Sequence, residues 1–302
     1  MTKLAPRVLL VGYGQMGHAM RALLAPCARL VVWRVTPQRQ VPGAKMRATL
    51  AESDFVILCV PTLALAPLLA RIMPCAARQA VYLSFAKGLD DAGCTAADIL
   101  ATLLGAHASW GVLGGPMIAA ELSAGRHGFA EMGTRNTAAR RTTLRLFRAT
   151  SLHTAERARQ PRAVSWCGVL KNIYTPLFGL ADGLDLGDNV RGRLASGALA
   201  EISRLVERFT GAPHAAAGVA GLADLVTTAT STGSHHRALG QRVARGDYSR
   251  LEGEGPHALR VLQRLQRLPA AQAFPLLASA AVLVRRPSAA GARLRAWLAS
   301  GS

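Results

Sequence analysis

Apolar residues fall along this chain in two different rhythms. Through the first half, short β-branched and Leu-rich runs at Arg7–Val11, Leu30–Trp33, Phe55–Val60, Ala80–Phe85 and Gly111–Leu113 alternate with stretches whose apolar residues recur at helical spacing. Runs this short, apolar at consecutive positions, fit strands buried on both faces of a parallel sheet. From about Ala163 such runs cease. Long Ala-, Leu- and Arg-rich segments follow, broken only at the Gly/Pro clusters Gly183–Asp188, Gly211–Pro213, Gly253–Pro256 and Arg285–Ser288. The pattern predicts an α/β N-terminal domain with a mostly parallel sheet over residues 1–160, then an all-α C-terminal domain over 161–302. The basic, turn-prone stretch Glu156–Arg162 marks the junction.

Composition narrows the picture. Of 302 residues, 50% are apolar, enough for sizeable cores and too many for a disordered chain. With 36 basic against 17 acidic residues the formal charge is +19, which suits an anionic partner of some kind. Aromatics make up only 5%, do not interleave with the basic residues, and no nucleic-acid motif is present, so no nucleic-acid partner is expected. Four of the 36 basic residues are lysines (Lys3, Lys45, Lys87, Lys171), so a lysine is the exception in an arginine-rich chain. Cys27, Cys59, Cys75, Cys94 and Cys167 are odd in number and never paired as C-x-x-C, unlike a disulfide framework or a zinc site. The run Val8–Val11 is cut short by glycines, and Ala270–Val284 contains Gln272 and Pro275 and is too short for a bilayer. A soluble cytoplasmic protein without membrane insertion is expected. Adjacent His235 and His236 do not share a helix face and have no Cys or carboxylate company, so no metal is expected.

Gly12, Gly14 and Gly17 form G-x-G-x-x-G directly after the first strand and at the start of the first helix, with Gln15 and Met16 between. That placement gives the motif its mechanical meaning. The first glycine allows a tight turn, the second lets backbone approach a pyrophosphate, and the third lets helix pack on strand, with helix N–H groups left for phosphate. The N-terminal domain is therefore expected to be a Rossmann domain holding a nicotinamide dinucleotide. An NAD site usually carries an acid at the end of the second strand, for the ribose hydroxyls. Here Trp33-Arg34 stands there, with no acid between Ala25 and Ala51. A guanidinium can bind a 2′-phosphate that a carboxylate would repel, so NADP is preferred over NAD.

In the second half, Val164–Gly183 reads as a helix carrying Lys171 and Asn172 among Val169, Leu170 and Ile173. A lysine drawn out of water can act as a general acid or base. The turn Ala181–Asn189 and the acid-bearing apolar stretch Gly218–Thr228 follow.

At this point the chain resembles the NAD(P)-dependent glycerol-3-phosphate dehydrogenases of the soluble bacterial type. The matching strings run in fixed order through most of its length. They are the glycine loop, Val60-Pro61-Thr62, Ala86-Lys87-Gly88-Leu89, Gly114-Gly115-Pro116 with Ala119-Ala120-Glu121, Gly168–Asn172, Gly183–Asn189, Gly221–Leu225, Leu251-Glu252-Gly253 and Phe274-Pro275-Leu276. The resemblance implies hydride transfer between NAD(P)H and C2 of dihydroxyacetone phosphate, giving sn-glycerol 3-phosphate for phospholipid synthesis. It implies Lys171 as the general acid/base and Lys87 as the lysine that places substrate and polarises its oxygen. Asp224, Gly115 and Ser234 then fall on the substrate side, and Ala119, Lys87 and Glu252 near the cofactor. The implied partner is a small phosphorylated three-carbon substrate, and a homodimer is compatible with this reading.

Three departures cluster on the substrate side. Where the family reads Ser-Arg-Asn-Arg, this chain has Ser234-His235-His236-Arg237, leaving Arg237 as the guanidinium that could swing in toward a substrate phosphate. Met117 replaces a Ser or Thr, and Pro176 is expected to kink the Lys171 helix. Two alternatives stay open at this stage. One is a related reductase of another keto substrate, ketopantoate-reductase-like or β-hydroxyacid-dehydrogenase-like. The other is a catalytically impaired NADP-binding homologue.

Overall fold

The architecture is described from a computed structural model, covering residues 5–36, 42–75, 77, 79–105, 108–158 and 160–300. Lys3 and, within the expected junction, Arg159 lie outside the described residues. The chain divides into two compact units, Met1–Lys87 with Cys94–Ser165, and Gly88–Gly93 with Trp166–Ser302. The division thus falls five residues beyond the expected 160/161 cut, and a short excursion after Lys87 belongs to the second unit.

In the first unit seven strands form one sheet: β1 (Arg7–Val11), β2 (Arg29–Trp33), β3 (Phe55–Leu58), β4 (Val81–Ser84), β5 (Ser109–Gly114), β6 (Gly128–Thr134) and β7 (Leu152–Ala158), in the order β2-β1-β3-β4-β5-β6-β7. Pairing is parallel throughout except between β5 and β6. The helices are α1 (Gln15–Leu24), α2 (Ala44–Glu52), α3 (Thr62–Ile72), α4 (Ala96–Leu104), α5 (Ala119–Ser123) and α6 (Thr137–Phe147). Strands β3 and β4 are buried at every position, as a parallel strand covered on both faces must be, whereas edge strand β2 alternates. Thr95 and Asp98 form a reciprocal capping box that fixes the start of α4, and Asn136 caps α6.

Sequence reading stopped at five strands. The two it missed are β6, which carries Gly128, Glu131 and Gly133 in place of a β-branched run, and β7, whose Leu-His-Thr-Ala-Glu-Arg-Ala sequence has no apolar run either. The glycines have a reason. A Cβ on Gly133 would lie 2.6 Å from Pro161 Cα, and one on Gly128 would lie 2.7 Å from a Leu122 methyl.

The second unit is helical: α7 (Pro161–Gly183, entering from the first unit), α8 (Asp188–Thr210), α9 (Asp224–Thr230), α10 (His235–Ala244), α11 (Glu254–Arg264), α12 (Pro275–Arg285) and α13 (Ala290–Ala299). A single π-helical turn, Val219–Ala223, leads into α9. Helix α7 is buried on every side from Ala163 to Ala181, which its apolar composition permits. It runs on as one helix through Pro176, the residue expected to kink it. Close backbone approach fixes its neighbours: a Cβ on Gly179 would lie 1.8 Å from the Arg237 carbonyl oxygen, and one on Gly240 1.9 Å from that of Pro176. Helix α10 therefore packs on α7 backbone to backbone. The Gly253–Pro256 cluster opens α11, with Gly255 against the Asn172 carbonyl. Glu201 on α8 ties this unit together: its buried carboxylate accepts from Tyr174 Oη (2.7 Å) and from the Leu276 and Leu277 backbone N–H groups (both 2.8 Å) at the start of α12. No helix among the described residues is long and apolar enough to cross a membrane.

Candidate active site

The residues expected to meet a nucleotide gather at the C-terminal ends of the parallel strands. Gly12 follows β1, Arg34 follows β2, Cys59 and Val60 follow β3, Lys87 follows β4, and Gly115 follows β5. In open α/β sheets this is the edge where ligands bind, at the point where strand order reverses, here between β1 and β3. Each glycine of the loop has a distinct demand. Gly12 has φ +94°, and a Cβ there would lie 2.5 Å from the Cys59 carbonyl oxygen. A Cβ on Gly17 would lie 2.3 Å from the Gly12 carbonyl oxygen, so α1 touches the turn that precedes it. Gly14 differs: a Cβ there meets nothing within 4 Å. Its smallness is not used by the protein's own packing, which fits a backbone kept bare for a pyrophosphate.

The N-terminus of α1 has no acidic residue in its first turn and no side-chain cap from Gly14, so nothing there competes for an anion. Met16, Cys59 and Ala119 are half-buried and pack on the core of this unit beneath the loop. Burial pushes the Cys59 thiol up to about 12, which keeps it neutral and unreactive. Arg34 lies over the Tyr13 ring, 4.8 Å from its centroid, beside the glycine loop. On this evidence the residues present fit a dinucleotide. Lys87 Nζ donates to the Gly115 carbonyl oxygen at 2.8 Å, with Gly115 at φ +141°. Met117, two residues on, is buried in the hydrophobic core of the unit, which accounts for a thioether where a hydroxyl was expected.

In the second unit Lys171 and Asp224 are almost fully buried, their side chains 6% and 4% exposed, and Nζ lies 3.6 Å from Asp224 Oδ2. Lys171 Nζ also donates to Thr228 Oγ1 at 3.0 Å, and that hydroxyl donates to the Asp224 carbonyl oxygen at 2.7 Å. Asp224 and Thr228 stand four apart on α9 and share a face, so one helix presents both to the ammonium. A buried charge is tolerable only when paired and hydrogen-bonded, and this pair is both. Beside it, Asn172 Nδ2 donates to Glu254 Oε2 at 3.2 Å.

Sequence reading singled out Lys171 and Asp224, which the fold brings together, but it did not single out Thr228 or Glu254. The i, i+4 spacing of Asp224 and Thr228 was the available signal for the first. Glu252 is exposed in the loop before α11, and it is Glu254, two residues on, that reaches Asn172.

Ser234 is the N-cap of α10, its hydroxyl accepting from the Arg237 backbone N–H at 3.2 Å, and His235 is exposed. Arg237 is not available to swing toward a ligand. Its Nε donates to Asp182 Oδ2 at 2.5 Å, and the same carboxylate accepts from Arg191 at 2.8 Å. Arg237, the guanidinium that could have swung toward a substrate phosphate, is thus engaged by Asp182. Among the described residues no cluster of His, Cys, Asp and Glu could hold a metal.

Two family models match the chain. One is the NAD-dependent glycerol-3-phosphate dehydrogenase N-terminus over residues 36–139, and the other is its C-terminus over 161–285. A glycerol-3-phosphate dehydrogenase [NAD(P)+] of Deinococcus radiodurans is 31% identical over 236 residues, 78% of this chain and 68% of that protein. One of Methylibium petroleiphilum is 29% identical over 266 residues, covering 80% and 79%. The crystal structure of a Coxiella burnetii glycerol-3-phosphate dehydrogenase shares the fold, with a TM-score of 0.84 at 21% identity over 98% of this chain and 99% of that one.

Proposed function

The chain belongs to the NAD-dependent glycerol-3-phosphate dehydrogenase family, and from that premise we propose that it reduces dihydroxyacetone phosphate to sn-glycerol 3-phosphate in the cytoplasm, supplying phospholipid synthesis. The observation that carries the reading is the buried Lys171, held by Asp224 and Thr228 in a helix buried on every side. The nicotinamide ring, when bound, supplies the electron pair that reduces C2. The protein's own residues do the rest.

Gly12, Gly14 and Gly17 shape the turn, and the N–H groups of Gln15, Met16 and Gly17 at the start of α1 hold the pyrophosphate. Ala119 lines the nucleotide, Glu252 stands near it, and Arg34 turns the preference toward NADP. Lys171 gives its proton to the C2 oxygen as negative charge grows there, a stabilisation worth most where water is excluded. Asp224 and Thr228 hold the ammonium in one position. This matters because a proton donor must lie within hydrogen-bond reach of its acceptor. Lys87, oriented by the Gly115 carbonyl, adds a second positive charge toward the substrate. Ser234 and the N-terminus of α10 face the phosphate, where His235 stands in for the family's arginine and weakens the grip.

The test is a reductase assay on purified protein with NADPH and NADH, offering dihydroxyacetone phosphate beside ketopantoate and small β-keto acids. Turnover with dihydroxyacetone phosphate above the others is expected. Preference for an unphosphorylated keto acid would replace the proposed substrate, and binding of NADPH without any turnover would make this an inactive homologue.

A further inference from the structure

Three side chains beside the glycine loop form an arrangement that the family reading does not explain. Arg21, in the last turn of α1, sends Nη1 to the Tyr13 hydroxyl at 3.0 Å, while the Arg34 guanidinium lies 4.8 Å from the centroid of the same ring. Together with Leu30, Val32, Trp33 and Met46 these three line a cleft of about 530 Å³. A basic residue in the last turn of a helix normally complements the helix dipole. Arg21 instead sends its side chain back to Tyr13, eight residues upstream and just before α1 begins, toward the loop. Neither Arg21 nor Arg34 has a carboxylate partner among the described residues, and none lines the cleft. Two guanidiniums are thus held beside one ring without an internal counter-charge.

We infer that Arg21, with Tyr13 and Arg34, forms a cradle for the 2′-phosphate of the adenosine half of NADP, so that two cations and not one set this chain's choice of cofactor. The inference rests on the proposed nicotinamide-nucleotide site and deepens it. A phosphate monoester carries close to two negative charges at neutral pH, which one guanidinium cannot match. Tyr13 is the residue between the first two glycines, so a group at its ring edge sits next to where the backbone meets the pyrophosphate. Because the phenol oxygen accepts from Arg21, its own proton stays available to an anion. The Tyr13 ring spaces the two guanidiniums and limits Arg34 to one face, reducing what must be ordered on binding.

Calorimetric titration of the whole protein with 2′,5′-ADP and with 5′-ADP tests this without relying on turnover. Wild type should bind 2′,5′-ADP more tightly than 5′-ADP. Arg21→Gln should lose about tenfold in affinity for 2′,5′-ADP, the lower end for a charge-assisted hydrogen bond at an exposed site, with 5′-ADP unchanged. Arg21→Lys, which keeps the charge and the helix, should recover part of the loss and guards against misfolding. If wild type discriminates and Arg21→Gln discriminates equally, the Arg21 role is wrong while the Arg34 reading stands. If wild type does not discriminate at all, the NADP preference itself falls. Equal loss for both nucleotides would assign Arg21 to shaping the loop and would overturn the cradle.

Discussion

Replacing His235 by Arg should strengthen the binding of dihydroxyacetone phosphate. Position 235 is the first residue of α10, next to the cap Ser234, and its side chain is exposed. An arginine there meets no packing obstacle, and it adds a permanent charge to a helix end that already favours anions. The native chain cannot supply that charge from Arg237, which is bound to Asp182, itself also bound to Arg191. A charge-assisted hydrogen bond contributes about 1.5–3 kcal/mol, and exposure brings the expectation to the lower end. About 1.5 kcal/mol corresponds to about a tenfold fall in KM. The gain should appear in KM and leave kcat near its wild-type value, because the phosphate takes no part in the hydride transfer and is held alike in ground and transition states. Initial rates against substrate concentration at saturating NADPH measure both. An unchanged KM would refute the assignment of this helix end to the substrate phosphate and would favour a different keto substrate.

The glycine loop offers a contrast inside one motif. Gly14→Ala should leave thermal stability within about 0.5 kcal/mol of wild type, since its Cβ meets nothing, yet weaken NADPH binding measured by fluorescence titration. Gly12→Ala should destabilise the fold by about 2 kcal/mol or more, through its φ of +94° and the Cys59 carbonyl. If Gly14→Ala keeps full affinity, the loop does not approach a pyrophosphate as described. Glu201→Gln should cost about 2–3 kcal/mol in urea unfolding, because an amide cannot accept from both α12 N–H groups and Tyr174 at once. Burial, opposed by hydrogen bonds from Tyr174, Leu276 and Leu277, holds the Glu201 carboxyl above its ordinary value. A raised pKa in the folded state contributes stability that is complete below the ordinary carboxylate range and declines as pH rises through the folded value. The gap between wild type and Glu201→Gln should therefore narrow from acid to neutral pH, and a gap that widens instead would contradict that sign.

Much of this architecture was legible because it is written in periodicity. Strands β1, β3, β4 and β5 were readable since burial on both faces forces consecutive apolar residues, β2 since its apolar run persists even at the half-exposed sheet edge, and the glycine loop since its three glycines sit at the one strand-to-helix turn where they matter. Strand β6 was not, because Gly128 and Gly133 are selected by close neighbours and Glu131 interrupts the apolar pattern, and neither was β7, where His153, Thr154 and Glu156 break up any apolar run. A proline removes one N–H but does not end a helix whose every side is supported by packing, and α7 continues through Pro176. In the site, Lys171 stood out as a lysine in an arginine-rich chain. Its partner Thr228, the Glu254 contact of Asn172 and the Asp182 hold on Arg237 are contacts between helices far apart in sequence. Their residue types are too ordinary to be noticed until the fold brings them together.

The account depends on Lys171 acting on the substrate oxygen and not merely filling a buried ion pair. Lys171→Met keeps the length of the stem and removes the ammonium, and turnover and NADPH binding can be measured on the same preparation. The expected result is a fall in kcat of a hundredfold to about ten-thousandfold, the range for a lost general acid, with the NADPH dissociation constant nearly unchanged. Retained turnover, or an equal loss of nucleotide binding, would contradict the role given to this lysine.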